Sequence, residues 1–450
     1  MHIYLKINFC SRLSLAKHAL INPSPHAHAL EDLSIFSSGI YGETRENGCV
    51  NCVEPLTVWR PLTRGVFSIN STKHGLQSKP LYFSLSLTTS LQQVRRAAAA
   101  SMSYDKQLAT AKKAAFLAAS LSQKVQKSLL QSDIQSKSDR SPVTVADYGA
   151  QALVSFILEK EFPSMPFSLV AEEDSEDLRK EEARETLVRI KELVNDTLAS
   201  NGMNYISPLS EEDVLDAIDC GKSEGGPHGQ HWVLDPIDGT KGFMRGDQYA
   251  VALALLDEGK VVLGVLACPN LPLTSLTSLD RHISEDKVGC LYFAQVGAGT
   301  YMQSLDGSPP TKVHVSATAN PEEAFLFESF AGPRSSHDLS SLIAKKMGVK
   351  APSVRIDSQA KYGALSRGDG EIYLRFPREG YREKIWDHAA GSIVVAEAGG
   401  VVIDAAGNPL DFSSGRYLDL DTGIIVTNQK LMPTLSKAVL DSLKERASSL

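Results

Sequence analysis

Four short stretches of the chain place carboxylates where they could act together: Thr144-Val-Ala-Asp147, Val170-Ala-Glu172-Glu173-Asp174, Trp232-Val-Leu-Asp235-Pro-Ile237-Asp238-Gly239-Thr240 and Ile385-Trp-Asp387-His388. Each acid falls at the end of a predicted strand or the start of a predicted helix, and any one alone reads as a helix cap or a solvated turn. Their joint occurrence points to a cation. In Asp235-Pro236-Ile237-Asp238, Pro236 denies the chain an immediate helix and Gly239 permits a tight reversal. Two carboxylates and the Ile237 carbonyl can then converge on one point. Hard divalent cations take oxygen ligands at that density, and with no Cys/His ligand pattern nearby Mg²⁺ fits better than Zn²⁺. Without a cation such a cluster repels itself and some of its members take up protons.

The elements that must position these acids are legible from periodicity. Leu108, Ala111, Ala115, Ala118 and Val125 predict a long amphipathic helix over 104–130. A polar loop is expected over 131–142, followed by a helix from about Asp147 to Glu161, where Ala150, Leu153, Val154, Ile157 and Leu158 share one face. Phe167–Ala171 reads as a strand entering an acidic turn, and 177–229 as a charged, weakly helical surface excursion closed by Gly225-Gly226-Pro227. A short strand His231–Leu234 precedes strand pairs around Glu258-Gly259 and Gly297-Ala298-Gly299. From about Val313 strands and helices alternate, which predicts a second α/β layer. The division expected is therefore a leader over 1–102, an α+β metal-binding part over 103–312 and an α/β part over 313–450.

Trp232 to Phe243 (Trp-Val-Leu-Asp-Pro-Ile-Asp-Gly-Thr-Lys-Gly-Phe) resembles the signature of the Mg²⁺-dependent, lithium-sensitive phosphomonoesterases of the inositol monophosphatase superfamily, and Glu172-Glu173 and Trp386-Asp387-His388-Ala-Ala-Gly391 resemble its other metal stations. Within that superfamily Ser141-Pro-Val-Thr-Val-Ala-Asp147, Asp357-Ser-Gln-Ala-Lys361-Tyr362, Tyr373-Leu-Arg375 and Glu383-Lys-Ile-Trp-Asp387 resemble the 3'(2'),5'-bisphosphate nucleotidases, those of plants most of all. The resemblance covers about 103–448. It implies a layered αβαβα sandwich, α/β in class, and hydrolysis of adenosine 3',5'-bisphosphate, and of its 5'-phosphosulfate analogue, to release the 3'-phosphate. Carried over by matching motif, Glu172, Asp235, the Ile237 carbonyl, Asp238 and Asp387 hold Mg²⁺. Asp147 and Thr240 activate the attacking water, and Thr240, Ser358, Lys361, Arg375 and Asp387 contact the nucleotide. Two cations roughly 4 Å apart suit such chemistry, because they can clamp the nucleophile and the leaving oxygen together. Thr240 can accept the water's proton only if its own passes to Asp147, so the two must be within hydrogen-bond reach.

One stretch departs from the pattern. Ala331-Gly332-Pro333-Arg334 stands where the nucleotidases carry a His before Ser335-Ser336-His337. A guanidinium can stack on a base or grip phosphate but cannot replace a neutral imidazole, so weaker binding of the nucleotide is expected. Two other readings stand beside the nucleotidase: an inositol polyphosphate 1-phosphatase, which uses the same metal stations, and a catalytically silent nucleotide sensor. The Asp357–Tyr362 and Tyr373–Arg375 motifs weigh against the first, and intact Asp147 and Thr240 against the second.

Composition sets the outer bounds. The 450 residues are 42% apolar and 22% charged, and the longest apolar run, Tyr249–Leu256, falls far short of the roughly 20 residues that cross a bilayer. The net charge of -7 divides unevenly: 1–102 carry 10 basic against 5 acidic residues, leaving 36 against 48 for 103–450. An acidic body argues against a nucleic-acid duplex as partner. A small bisphosphorylated nucleotide is the expected partner of a monomer or weak homodimer. The Ser-rich, Arg-bearing leader reads as an address for the chloroplast or mitochondrion, with a cytosolic protein if translation starts at Met102. Cys49-x-x-Cys52 lies in that leader without a second pair and reads as chance. Cys268 and Cys290 are expected as half-buried packing residues on adjacent strands. The same proximity allows a disulfide under oxidising conditions, with Cys220 available between subunits.

Overall fold

The computed structural model describes residues 103–448 except 138–140, 165, 204–206, 278–286, 331–336, 379 and 421. The expectations for the leader and for Arg334 lie outside the described residues. Helix α1 (Asp105–Lys127) buries an Ala-rich face (Ala111, Ala114, Ala115, Ala118), and these small side chains let α2 (Val145–Glu161) pack closely against it. Between them the expected polar loop is a short antiparallel hairpin, β1 (Ile134–Ser136) and β2 (Pro142–Thr144). Strand β3 (Leu169–Ala171) follows, then α3 (Arg184–Ser200) and α4 (Glu211–Asp219).

These last two helices correct the expected surface excursion. Leu187, Ile190, Leu193, Val194 and Leu198 of α3 and Val214, Leu215 and Ile218 of α4 are buried. The many charges of 177–229 occupy the opposite faces, so overall polarity concealed an inward apolar stripe at helical spacing.

Strand β4 (Gln230–Asp238) runs four residues further than expected, through both aspartates of the central motif. After α5 (Thr240–Arg245) the chain meanders through β5 (Ala250–Asp257), β6 (Lys260–Pro272), β7 (Val288–Gln295), β8 (Gly299–Ser304) and β9 (Thr311–Val313). Together they form one sheet in order β3-β4-β5-β6-β7-β8-β9, with β3 and β4 parallel and the rest antiparallel. Glu258 and Gly259, with φ of 49° and 71°, make the tight β5–β6 turn. A second sheet, ordered β11-β10-β12-β16-β14, combines β10 (Leu326–Glu328), β11 (Val354–Arg355), β12 (Ile372–Arg375), β14 (Gly400–Asp404) and β16 (Ile424–Asn428). Helices α6 (His337–Met347), α7 (Ala360–Ser366), α8 (Ala389–Glu397) and α9 (Met432–Ser448) alternate with them, and β13 (Glu383–Lys384) pairs with β15 (Tyr417–Leu418).

Three apolar cores stack these elements into five layers. On one face of the large sheet Trp232, Leu234, Val251, Leu253 and Leu255 meet α1–α4. On the other, Val233, Ala252, Ala254 and Leu256 meet Ala360 and Tyr362 of α7, Ile393 and Val394 of α8, and Tyr373 and Val426 of the small sheet. Beyond that sheet, Leu326, Ile372 and Ile425 pack on Leu339 and Ile343 of α6 and Leu435 and Val439 of α9. The result is the αβαβα sandwich. It also explains Tyr249–Leu256: a strand covered on both faces is apolar without alternation. Cys268 and Cys290 are register partners on β6 and β7 within the second core. They are fully buried rather than half-buried, and their thiols are not joined.

Candidate active site

The acids gather where β3 and β4 end and α2, α5, α7 and α8 begin. They line a cleft of about 310 Å³ that also exposes Ser358, Gln359, Lys361, Tyr362, Tyr373, Arg375 and His388. The structure brings every sequence-predicted site residue together. Glu172, Asp235, Ile237, Asp238, Thr240, Ser358, Lys361, Arg375 and Asp387 all line the cleft, and Asp147 lies buried directly behind Thr240.

The local chain explains how they converge. At Asp235–Asp238 the pairing of β4 with β5 shifts register, and Pro236 lacks the N–H that a regular ladder would need. Gly239 then adopts φ of 91°, and a Cβ there would lie 3.0 Å from Cβ of Ser358. The resulting reversal turns Thr240 back toward the end of the strand. Its hydroxyl lies 3.3 Å from Asp147 Oδ1 and 3.2 Å from the Ile237 carbonyl oxygen. Asp147 also closes the capping box of α2, whose N-cap is Thr144: its Oδ2 accepts from Thr144 N (2.8 Å) and Thr144 Oγ1 (2.7 Å). The bland and the chemical readings of this residue therefore both hold, one on each oxygen.

Electrostatically the cleft is strained. Burial, and then the charge of Glu172 and of neighbouring aspartates, pushes Asp235 well above the ordinary carboxylate range. Asp387 is raised well above it by burial and then by Asp238 and Glu383. Asp238 is raised by burial, against the opposing charge of Lys361 and a hydrogen bond from Gln359 N at 2.6 Å. Burial lifts Asp147 to about 6, against its bonds from Thr144. Carboxyls so crowded take up protons or share a cation. Their donor set is all oxygen, four carboxylates and the Ile237 carbonyl, which fits a hard divalent ion.

Lys361 is buried on α7. Its Nζ donates to Ser329 Oγ (3.1 Å) and the Ile356 carbonyl (3.1 Å), and burial lowers its pKa to about 8. Ser358 holds φ of 67°, a left-handed conformation uncommon for serine, and its Oγ accepts from Ala360 N at 3.1 Å. Arg375 is held by Glu383 through Nε (2.7 Å) and Nη2 (3.3 Å). Burial raises Glu383, but Arg375 and His388 outweigh it and bring the carboxyl down to about 2.

Lys137 and Arg245 carried no signal in the sequence, and Glu173, Gln359, Glu383 and His388 stood in its motifs without a role of their own. Lys137, from the hairpin, donates to Glu172 Oε1 (2.9 Å) and Glu173 Oε1 (2.5 Å). Glu173 is itself raised well above its ordinary range by burial and then by Glu172. Gln359 ties α7 to the Asp387 segment, donating to the Trp386 carbonyl (2.8 Å) and accepting from Gly391 N (2.9 Å). Arg245 pairs with Asp357. Glu383, Asp387 and His388 also converge within 4.8 Å of one another. Glu383 there is engaged by the Arg375 guanidinium and the His388 ring, so among the three only Asp387 is free of these contacts and open to the cleft.

Sequence comparison agrees with the motifs. The chain matches the inositol monophosphatase family over residues 105–444. It is 72% identical over 353 residues to 3'(2'),5'-bisphosphate nucleotidase 1 of Arabidopsis thaliana, spanning 78% of this chain and 100% of that protein. It is 65% identical to 3'(2'),5'-bisphosphate nucleotidase of Oryza sativa, over 77% of this chain and 97% of that one. The Emericella nidulans protein of the same name is 41% identical over 66% of this chain and 87% of its own length. A shared motif set, a five-layer fold that assembles it and matches at this level over nearly whole relatives place this chain in the inositol monophosphatase family, among its 3'(2'),5'-bisphosphate nucleotidases.

Proposed function

We propose that the protein hydrolyses the 3'-phosphate of adenosine 3',5'-bisphosphate, and of its 5'-phosphosulfate analogue, giving AMP or its sulfated counterpart and inorganic phosphate. The observation that carries this reading is the contact between Thr240 Oγ1 and Asp147 Oδ1 at the edge of the carboxylate cluster. A protein that only bound the nucleotide would have no use for a hydroxyl backed by a buried acid. Glu172, Asp235, the Ile237 carbonyl, Asp238 and Asp387 would hold the divalent cation, Mg²⁺ in our reading, which supplies Lewis acidity and offsets the repulsion between phosphate and acids.

The chain's own residues do the rest. The single hydrogen of Thr240 has Asp147 Oδ1 and the Ile237 carbonyl within reach; directed at Asp147, it leaves the hydroxyl oxygen able to accept a proton from a water in the cleft. The water oxygen bonds to phosphorus, the bond from phosphorus to the 3' oxygen breaks, the 3' oxygen takes a proton from solvent water to become the product hydroxyl, and the proton shed by the attacking water moves through Thr240 to Asp147. A carboxyl with a pKa of about 6 is ionised near neutrality yet basic enough to receive it. Lys361 and Arg375 present positive charge on the second side of the cleft, where the 5'-phosphate would sit. The test is phosphate release from adenosine 3',5'-bisphosphate and from inositol 1,4-bisphosphate, with and without Mg²⁺, for the wild type and Asp147→Ala. Mg²⁺-dependent release from the nucleotide, lost in the variant, is expected. No Mg²⁺-dependent release from either compound would sink the proposal.

A further inference from the structure

Beneath Arg375 the buried carboxylate of Glu383 anchors a run of polar side chains, of which only Arg375 and Lys361 have a part in the reaction described so far. Glu383 is fully buried, and each of its oxygens has a partner. Oε1 accepts from Arg375 Nε, and Oε2 receives Arg375 Nη2 at 3.3 Å and lies 3.1 Å from His388 Nε2. His388 Nδ1 is in turn 2.8 Å from the Tyr362 hydroxyl. A neutral imidazole with its hydrogen on Nε2 satisfies both contacts, donating to Glu383 and accepting from Tyr362. Tyr362 stands edge-on to Tyr373, with ring centroids 5.3 Å apart, and Lys361 Nζ lies 5.2 Å from the centre of the Tyr373 ring. The network thus joins Arg375 on β12, Lys361 on α7 and His388 at the start of α8.

Two facts give it a direction. A guanidinium gripped through Nε and one Nη is fixed in plane and azimuth, and among the described residues Nη1 has no hydrogen-bond acceptor in the protein. Arg375 also lines the cleft while its partner Glu383 is hidden from it. We propose that Glu383 is the positioning residue for recognition of the second phosphate: it fixes Arg375 so that the unused edge of the guanidinium faces the 5'-phosphate of the substrate. On this account Glu383 sets the preference for a bisphosphorylated nucleotide over a monophosphate and acts on the reaction only through Arg375. The inference rests on the assignment of Lys361 and Arg375 to the 5'-phosphate given above.

The test compares kcat/KM for adenosine 3',5'-bisphosphate with that for adenosine 3'-monophosphate, which lacks the 5'-phosphate. Glu383→Gln keeps the shape and the bond to His388 but removes the charge and one acceptor facing Arg375. It is expected to lower kcat/KM for the bisphosphate by about 10-fold or more, through KM, and to change that for the monophosphate far less. Glu383→Asp, which retains the charge and so the fold, shortens the reach by one methylene and should show the same selective loss to a smaller degree. In an Arg375→Ala background, Glu383→Gln should add no further loss of selectivity. Parallel loss on both substrates, an unchanged ratio in both Glu383 variants, or additivity with Arg375→Ala would overturn the proposal. A wild type that does not prefer the bisphosphate would instead overturn the placement of the 5'-phosphate on which it rests.

Discussion

Asp147 uses its two oxygens for different purposes, and a substitution can separate them. Asn at this position can keep its oxygen toward Thr144 and so retain the cap of α2, while its amide faces Thr240 as a donor and can accept no proton. Asp147→Asn should therefore lower kcat by about 10²- to 10⁴-fold with little change in melting temperature. Asp147→Ala should match that loss and cost about 1 kcal/mol of stability as well. A kcat within threefold of wild type in Asp147→Asn would remove Asp147 from the proton path. Lys361 makes a second prediction at this scale. Its pKa of about 8 means that raising the pH past that value discharges it, and with it an attraction for phosphate. The alkaline limb of kcat/KM against pH should fall with a midpoint near 8 and vanish in Lys361→Met. If the limb keeps its midpoint in that variant, another group is responsible.

Elements decide how these residues meet. The β1–β2 hairpin is only a few residues long, yet its Lys137 reaches both Glu172 and Glu173. An ammonium on Glu172 competes with any cation for the same carboxylate, so Lys137→Met should tighten binding of Mg²⁺ or Mn²⁺ by about tenfold and lower the melting temperature of metal-free protein, whose acids lose their neutralising charge. Weaker binding by calorimetry would mean instead that the lysine organises the site. The turn after β4 is constrained in a different way. A Cβ on Gly242 would fall well inside contact distance of the Gln248 carbonyl and press on Asp357. Gly242→Ala should displace α5, and with it Thr240, at a cost of about 1–3 kcal/mol in stability and with a lower kcat. Retention of wild-type activity and stability would show that the turn can relax.

Over the whole molecule, the cleft gathers ends of elements from both sheets, and its acids are kept charged only at a cost. Asp147, with a folded pKa of about 6 against an ordinary 3.8, favours the folded state most at low pH, and that contribution is lost as pH rises through about 6. Asp235, Asp238 and Asp387 are raised in the same direction. The gap in melting temperature between Mg²⁺-loaded and chelated protein should therefore widen as pH rises through about 6, because protonated acids neither repel one another nor bind the ion. A gap that is constant from pH 5 to 8 would contradict the cluster's role.

What could be read from the chain alone was whatever depends on neighbours in sequence. Strand period, helix faces and the tight reversal at Asp235–Gly239 are local, so the alternation of elements and the five acids were visible in order. The helices α3 and α4 were misjudged because their apolar stripe becomes evident only when something packs against it. The network of Glu383, Arg375, His388 and Tyr362 and the reach of Lys137 join residues separated by 5 to 36 positions. No periodicity records such pairings. The sequence by itself determined the residue types that can hold a cation and activate water, because those follow from side-chain chemistry and local backbone constraint. Only the tertiary structure decided which oxygens share one buried space and how far burial shifts each proton, because both depend on distance and on exclusion of water, and these exist only once the layers have packed.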